Sequence, residues 1–255
     1  VLVPFVDDIG LLIRPGMTGA TGNLYCGLHE LEEMALVLHA LRPGDRFVDI
    51  GANVGSYSML AAATGAEVMA FEPIPATCRW LQRNVAVNAL DESVHVLNQG
   101  AGREKGVLRF TAGLDTVNHV VAENESAAGA LEVPVVTLDQ ALGDKSPTLI
   151  KIDVEGFETE VLAGAQRTLD DPGLLAVIME LNGSGARYGF DEEGLHQSLL
   201  QRGFESFRYS PQRRRLSPLH GEHSGPGNTL YVRDLETLGE RLKTATRYRL
   251  GTGVE

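Results

Sequence analysis

Cysteine, tryptophan and long apolar runs are scarce in this sequence. Two cysteines and one tryptophan occur among 255 residues. This excludes a scaffold stapled by several disulfides, and so little cysteine is typical of a reducing compartment. No apolar run approaches the ~18 residues that a transmembrane helix needs, and the first residues lack the basic segment of a signal peptide. The sequence therefore predicts a cytoplasmic protein that spans no membrane.

Positive charge is also in short supply. The chain carries 22 lysines and arginines against 34 aspartates and glutamates, for a formal net charge of −12. A phosphate backbone and an anionic membrane both repel such a surface, so we expect neither nucleic acid nor a membrane as a partner. The strongest basic run, 213–215, is interpreted as a solvated turn, with a clamp for an anionic substrate group as the alternative. The oligomeric state is left open, a homodimer included.

A chain of this length suits one or two domains. We divide it into an N-terminal extension, residues 1–45, and a main domain, residues 46–255. Residues 1–28 mix short apolar runs with glycine and proline, which predicts a hairpin followed by a loop. Apolar residues then recur at helical spacing over 30–41, and Pro43-Gly44 ends that helix.

Strands and helices alternate through the main domain. Apolar runs predict five main strands, at 46–50, 67–71, 94–97, 148–154 and 174–181. They also predict a closing strand pair, at 203–209 and 228–234, and two added strands, at 107–110 and 133–138. A stripe at i+4 spacing from Phe157 to Leu169 predicts a helix. The alternation indicates an α/β fold with a mostly parallel sheet and helices on both faces.

The first main strand runs into a glycine turn, Asp49-Ile50-Gly51-Ala52-Asn53-Val54-Gly55. Ligands of open parallel sheets bind beyond the carboxyl ends of the strands, and glycine lets the backbone approach a ligand closely. A dinucleotide fingerprint requires G-x-G-x-x-G, but Asn53 occupies the second glycine position, which disfavours an NAD-dependent oxidoreductase. The pattern D-x-G-x-x-x-G instead resembles motif I of the class I methyltransferases that depend on S-adenosylmethionine (SAM).

Polar residues also follow the next two strands. Glu72 ends the second main strand, 23 residues after Asp49. A carboxylate at this position can accept hydrogen bonds from both hydroxyls of a ribose. Gln99 and Ala101 follow the third main strand and are predicted to border the adenine.

Longer blocks of the chain resemble the FkbM family of SAM-dependent methyltransferases. The blocks are Glu30 ahead of the first helix, Pro43-Gly44-Asp45, VDIGANVGSYS (48–58), FEP (71–73), LIKIDVEGFETEVLAGA (149–165) and Glu180. The resemblance covers roughly 30–233 and leaves out the loop 111–132. It implies a Rossmann-like sheet with a reversed last strand, SAM as cofactor, and methyl transfer, commonly to a hydroxyl of a sugar, polyketide or similar small metabolite.

The resemblance also implies a cofactor site. Its residues are Glu30, Asp49, Gly51, Asn53, Gly55, Glu72, Pro73, Gln99, Ala101 and Asp153. Glu30 is expected to shape the entrance rather than to take part in the chemistry.

Methyl transfer to an alcohol needs a positioned hydroxyl and a base, because an aliphatic hydroxyl is a poor nucleophile. Asp153 and Glu155 follow the fourth main strand as a carboxylate pair, and each raises the proton affinity of the other. We predict that Asp153 binds the substrate hydroxyl or acts as the base, with Glu155 beside it. The alternative is that both cap the following helix. Glu180 and Asn182, after the fifth main strand, are predicted to line the acceptor pocket.

Two alternatives concern the chemistry of the site. His119, in the loop outside the resemblance, would be a second candidate base if a lid brought it over the site. Asp153, Glu180 and Asn182 could bind Mg²⁺ through oxygen, as in catechol-type methyltransferases. Those enzymes carry a lysine three positions after the first carboxylate, and Gly156 stands there in this chain, so we predict no metal.

Other functions stay open as alternatives. One is methylation of a nitrogen or of a protein side chain, which the absence of an Asn/Asp-Pro-Pro-aromatic stretch after the fourth main strand disfavours. Another is a non-catalytic binding protein of the same fold. The intact Asp49, Glu72 and Asp153 weigh against it.

Overall fold

The computed structural model describes residues 1–14 and 16–253 of the chain. Its strands are β1 (Leu2–Val6), β2 (Ile9–Leu12), β3 (Arg46–Ile50), β4 (Glu67–Phe71), β5 (Val94–Leu97), β6 (Gly100–Ala101), β7 (Gly106–Phe110), β8 (Leu131–Val136), β9 (Leu149–Ile152), β10 (Ala176–Leu181), β11 (Glu205–Ser210), β12 (Arg215–Pro218) and β13 (Gly227–Val232). Its helices are α1 (Thr18–Cys26), α2 (Leu31–Ala40), α3 (Ser56–Ala63), α4 (Pro75–Val87), α5 (Leu138–Leu142), α6 (Glu158–Ala163), α7 (Gln166–Asp170), α8 (Glu192–Gln201) and α9 (Leu235–Thr244).

The largest sheet has the strand order β12-β11-β13-β10-β9-β3-β4-β5. Strands β10, β9, β3, β4 and β5 are parallel, and β13 runs antiparallel to β10, with Ala176 paired to Val232. The predicted Rossmann-like α/β class, with a mostly parallel sheet and a reversed last strand, is confirmed. Strand β12, which extends the closing pair, was not predicted, because its four residues are mostly exposed and carry no apolar alternation.

Helices pack on both faces of this sheet, as the near-continuous apolar strands predict. Strand β9 is buried along its whole length. One apolar cluster joins the sheet to α2, α3 and α4, with Leu36 and Leu60 fully buried in it. The other joins the opposite face to α6, α7 and α8, around Val161 and Leu199. Among the described residues, no helix combines the length and the apolar composition that a bilayer crossing requires.

A second, three-stranded sheet has the order β6-β8-β7. Both added strands expected from the sequence belong to it. Phe110, Val120, Val133 and Val135 form its apolar cluster, against which Phe157 packs. This sheet therefore reaches the segment that follows β9 and forms a wall beside it.

Two expectations about helices are wrong. The segment after the β1–β2 hairpin contains helix α1 rather than a loop only. Its sequence has glycines at 19 and 22 and no apolar stripe, so helical periodicity could not reveal it. The stripe from Phe157 to Leu169 belongs to two helices, α6 and α7, instead of one. They part at Gly164, where a Cβ would lie 2.0 Å from the carbonyl oxygen of Gly102, so a neighbouring backbone occupies the space of a side chain.

Candidate active site

A cavity of about 370 Å³ lies at the carboxyl ends of β3, β4, β9 and β10, and we call it the cleft. This edge is where parallel sheets of this kind bind ligands. Most residues predicted for the site line it, namely Glu30, Asp49, Gly51, Asn53, Glu72, Pro73, Gln99, Ala101, Asp153, Glu155 and Glu180. Residues distant in sequence are therefore brought together because consecutive parallel strands end at one edge.

The glycine turn after β3 forms the floor of the cleft. The amides of Gly51 and Ala52 both donate to the carbonyl of Phe71 at the end of β4. The backbone is left-handed at Gly51, with φ +83°, at Asn53, with φ +52°, and at Gly55, with φ +95°. Gly55 does not line the cleft: a Cβ there would lie 2.3 Å from Leu81 Cδ1. Its role is close packing of α3 on α4 rather than contact with a ligand.

Gly51 leads to the first testable prediction. A Cβ at this position would lie 1.8 Å from the carbonyl oxygen of Asp153. We expect Gly51→Ala to lower the free energy of unfolding by about 2–5 kcal/mol, as the sum of left-handed strain and overpacking. Gly44→Ala is the matched control, because Gly44 has φ +88° and nothing near its missing Cβ. Urea denaturation should show about 1–2 kcal/mol for that control; equal losses in both variants would refute the close approach.

Glu72 joins the loops that follow β3 and β4. Its Oε2 accepts from the amide of Asn53 at 2.9 Å, and its Oε1 accepts from the amide of Ile74 at 2.8 Å. The side chain is 5% exposed, and burial raises its pKa to about 8. Each oxygen has accepted only one hydrogen bond from these amides and can accept another from a ligand hydroxyl. This arrangement fits the two hydroxyls of a ribose.

Asp49 leaves one buried acceptor atom free for a ligand. Its Oδ2 accepts from the hydroxyl of Ser58 at 2.6 Å, but its Oδ1 is buried and has no hydrogen-bond partner among the described residues. Burial raises the pKa of this carboxyl. Because a buried acceptor without a donor is costly, the cleft suits a ligand that brings a donor or a positive charge. An amino-acid nucleoside with a sulfonium centre fits this half of the cleft.

Three carboxylates stand together on the other side of the cleft. Oxygen atoms of Asp153, Glu155 and Glu180 all lie within 4.8 Å of one another. Burial, followed by the charge of Asp153, raises the pKa of Glu155 to about 7. The same two causes raise the pKa of Glu180. The cleft therefore holds a carboxyl group whose ionisation changes near neutral pH.

The backbone at Glu155 is strained. Its φ is +56°, a left-handed conformation that costs a non-glycine residue about 1–3 kcal/mol and clusters at functional sites. The turn is held by Glu158, whose Oε1 accepts from the amides of Val154 at 3.1 Å and Gly156 at 3.3 Å. This explains the last glutamate of the K-I-D-V-E-G-x-E block: it shapes the turn that presents Glu155 to the cleft.

Asn182, one of the three oxygen ligands named in the Mg²⁺ alternative, lies outside the cleft that contains Asp153 and Glu180. The side-chain nitrogen of Asn182, Nδ2, donates to Glu180 Oε2 at 2.9 Å, and its side-chain oxygen, Oδ1, accepts from the backbone amide of Ser184 at 2.9 Å. Asn182 does not line the cleft. It orients Glu180 from outside, and its oxygen is engaged in the turn that follows β10.

His119 is turned away from the cleft. Nδ1 of its ring lies 2.9 Å from the carbonyl oxygen of Val117, and Nε2 lies 3.2 Å from the carboxylate of Glu125. The ring is buried, whereas its neighbours Asn118 and Val120 line the cleft. The loop therefore reaches the site, as the lid interpretation required, but the structure does not bring the imidazole there.

Glu30 forms part of the wall, as expected of an entrance residue. Its Oε1 accepts from Asn228 Nδ2 at 2.7 Å, and its Oε2 accepts from the hydroxyl of Tyr57 at 2.9 Å. Glu30 precedes α2, Tyr57 lies in α3 and Asn228 lies in β13, so one carboxylate links three elements.

Several residues of the cleft were missed by the sequence reasoning. They are the apolar side chains Phe110, Val120 and Phe157, the hydroxyl residues Tyr57, Thr77 and Thr116, and the buried lysine Lys151. Lys151 and Phe157 belong to the K-I-D-V-E-G block, whose specificity was the available signal. Tyr57 belongs to the VDIGANVGSYS block. Phe110 ends β7, Thr77 lies in α4, and Thr116 and Val120 lie in the loop 111–132, where no motif marks them.

Comparison with known proteins identifies a family model that this chain matches. The model of the methyltransferase FkbM domain matches residues 49–206. Methyltransferase 1 of Beauveria bassiana is 32% identical over 155 residues, which cover 51% of this chain and 60% of that protein. The hexuronic acid methyltransferase AglP of Haloferax volcanii is 28% identical over 156 residues, covering 60% and 62%. The 31-O-demethyl-FK506 methyltransferase FkbM of Streptomyces tacrolimicus is 28% identical over 176 residues, covering 56% and 67%.

The chain spans about three fifths of the length of the first two relatives. Among solved structures, the precorrin 8w decarboxylase of Methanobacterium thermoautotrophicum has a TM-score of 0.50 at 15% identity, over 87% of this chain and 96% of that chain. That similarity shows the fold alone. With the family model matching more than half of the chain, and with the cleft fitting the cofactor, the chain belongs to the FkbM family of methyltransferases, whose methyl donor is S-adenosylmethionine.

Proposed function

We propose that this chain is an O-methyltransferase that methylates a hydroxyl of a small metabolite, such as a sugar, a polyketide or a related natural product. The observation that carries the proposal is the carboxylate group of Asp153, Glu155 and Glu180 beside the half of the cleft that contains Asp49 and Glu72. A hydroxyl acceptor needs a base, and this group provides one with a pKa of about 7.

Different residues of the cleft bind the two reactants and remove the proton. When bound, SAM supplies a methyl carbon made electrophilic by its positive sulfur. Glu72 and Asp49 hold the nucleoside and the amino-acid parts. Asp153 accepts a hydrogen bond from the acceptor hydroxyl and orients its oxygen, and Glu155 takes the hydroxyl proton. Holding the reactants in order contributes up to about 7–11 kcal/mol to lowering a barrier.

The walls of the cleft support a small acceptor. Its volume of about 370 Å³ is in the range of small-molecule sites. Phe110, Val120 and Phe157 give it apolar surface, and the described basic side chains that line it are His29 and Lys151. That is little positive charge for a phosphate backbone. One similar protein, the 31-O-demethyl-FK506 methyltransferase, is named for an oxygen acceptor and matches 56% of this chain. Two tRNA (guanine(37)-N(1))-methyltransferases match 27% and 31% of it, so the longer match favours oxygen over nitrogen as the acceptor atom.

The test uses matched acceptors with SAM as methyl donor. Each alcohol of a hydroxylated-metabolite panel is paired with its amine analogue and with its methyl ether, and products are identified by mass and by NMR. We expect one added methyl group on an alcohol oxygen and none on the ether. Methylation of the amines alone would contradict the proposal in favour of an N-methyltransferase.

Calorimetry separates this function from a different cofactor. We expect heat of binding with SAM and with its demethylated product, and none with NAD. Because the pKa of Glu72 lies at about 8 and a cation favours the ionised carboxylate, SAM binding at pH 7 should release protons. The observed enthalpy should then depend on the ionisation heat of the buffer. No heat with SAM or its product at high protein concentration would remove the methyltransferase function.

A further inference from the structure

Lys151 is a buried lysine that the proposed chemistry leaves unused. It lies in β9, paired with Asp49 of β3 in the register of the sheet, and it is only 3% exposed. Its Nζ donates to Asp153 Oδ2 at 2.8 Å and lies 4.8 Å from the centre of the Tyr57 ring. A side chain this long and this buried needs partners for its charge.

Acidic groups from three elements surround that ammonium. Burial lowers the pKa of Lys151, but Asp153 after β9, Asp49 in β3 and Glu30 ahead of α2 outweigh burial and hold the pKa above its usual value. The ammonium is therefore charged at neutral pH. The Tyr57 ring covers it from the side of α3, in a cation–π contact.

The charge of Lys151 also reaches the acceptor half of the cleft. It lowers the pKa of Glu155 and of Glu180, against the effects of burial and of Asp153. Like charges packed this closely repel one another. Two cations offset this repulsion: Arg187, which lowers the pKa of Glu155 more than Lys151 does, and Lys151, which is buried within the sheet and contacts Asp153 directly.

We propose that Lys151 is a positioning residue, whose ammonium fixes the orientation of Asp153 and supplies a buried positive charge against the crowded carboxylates of Asp153, Glu155 and Glu180 next to the acceptor. The proposal rests on the proposed function only for the identity of the acceptor. The effect of the Lys151 charge on Asp153 and Glu155 is a property of the protein without ligand and can be measured there. Lys151 touches Asp153 rather than the acceptor, and so it acts through that carboxylate.

The test begins with the protein free of cofactor. Lys151→Met keeps most of the length and removes the charge. The Glu155 carboxyl carbon is followed by ¹³C NMR titration, with Glu155→Gln identifying its resonance. Glu155 faces Asp153, Glu180 and Lys151, together with Arg187, whose guanidinium donates to the Glu155 carbonyl at 3.4 Å. With Arg187 unchanged, we expect the Glu155 midpoint to rise by about one pH unit or more in Lys151→Met.

The matched control is Lys145→Met, which removes the charge of an exposed lysine in the turn after α5. We expect it to leave the Glu155 midpoint where the wild-type protein has it. An unshifted Glu155 midpoint in folded Lys151→Met would overturn the proposal, whatever the enzyme methylates.

Activity gives a second readout that a purely structural role would not move. In Lys151→Met we expect turnover at pH 7 to fall about 5-fold or more, because a rise of one unit leaves about a tenth of the base ionised instead of about half. The rising limb of the pH profile should move upward by the same interval as the Glu155 midpoint, so that activity recovers at higher pH. Lys151→Arg, which keeps the charge, should restore the wild-type midpoint. A loss that is equal at every pH would count against the positioning role. If the wild-type enzyme methylates no hydroxyl acceptor, the proposed function is wrong. The NMR titration still tests the positioning role of Lys151, because it needs no substrate.

If Lys151→Met does not fold, the wild-type protein provides the measurement. Spectra of ¹⁵N-labelled lysine side chains should contain one ammonium group whose protons exchange slowly, because Lys151 is buried and hydrogen-bonded. Loss of that signal in Lys151→Arg would assign it. Absence of any protected ammonium in the wild-type spectrum at neutral pH would overturn the proposal.

Discussion

Glu155→Gln is expected to lower kcat by about 10²- to 10⁴-fold, the usual contribution of a general base. Glutamine preserves the size of the side chain and hydrogen bonding through its oxygen, but it cannot take the hydroxyl proton. The affinity for SAM should stay within a few-fold of the wild-type value, because Glu155 lies on the acceptor side of the cleft rather than beside Glu72 and Asp49. Initial rates with a saturating acceptor and calorimetry with SAM measure the two effects separately.

The pH dependence of turnover offers a second test of Glu155 as the base. Burial raises the pKa of Glu155 to about 7, and the base works only when it is ionised. Because the positive sulfur of bound SAM lowers the pKa of a carboxylate that faces it, turnover of the wild-type enzyme should rise with pH up to about 7 and then level off. Glu155→Gln should lose this rising limb together with its activity.

A control variant separates the base from a general loss of negative charge. Glu205 is an exposed residue of β11, and Glu205→Gln should leave both kcat and the pH profile unchanged. If Glu155→Gln instead retained kcat within about five-fold and kept the rising limb near pH 7, the base would be another group, with Glu180 the next to be replaced.

Glu72→Gln is expected to weaken SAM binding by about 1.5–3 kcal/mol, the range for a hydrogen bond to a charged group, or roughly 10- to 150-fold in Kd. The substitution replaces one acceptor oxygen with a donor nitrogen. One of the two amides, Asn53 or Ile74, then faces a donor, and one ribose hydroxyl loses its acceptor. The dissociation constants of SAM and of its demethylated product should rise together, because both carry the same ribose.

Glu67→Gln provides the matched control for Glu72→Gln. Glu67 begins the same strand, β4, but its side chain is 50% exposed and pairs with Arg46. We expect its SAM affinity to equal that of the wild-type protein. If Glu72→Gln bound SAM as tightly as Glu67→Gln does, the carboxylate of Glu72 would not be a ribose ligand.

The sheet was predictable because the apolar pattern of a buried strand is short and recurs along the chain. Parallel strands buried on both faces are mostly apolar, as 149–152 is apart from Lys151 and 176–181 is apart from Glu180, and this pattern can be recognised without knowing the fold. The same regularity predicted the cofactor half of the cleft, because Asp49 and Glu72 lie at the carboxyl ends of two predicted strands.

The remainder depends on contacts between distant segments. Helix α1 has no apolar stripe, and the position between α6 and α7 must be a glycine because the backbone of Gly102 passes beside Gly164. His119 lies in a loop that does reach the cleft, but the direction of its ring is set by Glu125. Lys151 lies inside an apolar strand, where only the structure shows that acidic groups surround it. Periodicity and motif spacing carry no information on these interactions.

We propose that the cleft binds SAM with Glu72 holding the ribose. A crystal structure of the protein with SAM or its demethylated product tests it most directly. In that structure we expect the Glu72 carboxylate to accept hydrogen bonds from both ribose hydroxyls, with the reactive sulfur facing Asp153 and Glu155. A nucleoside bound elsewhere, or a Glu72 side chain turned away from the sugar, would contradict it.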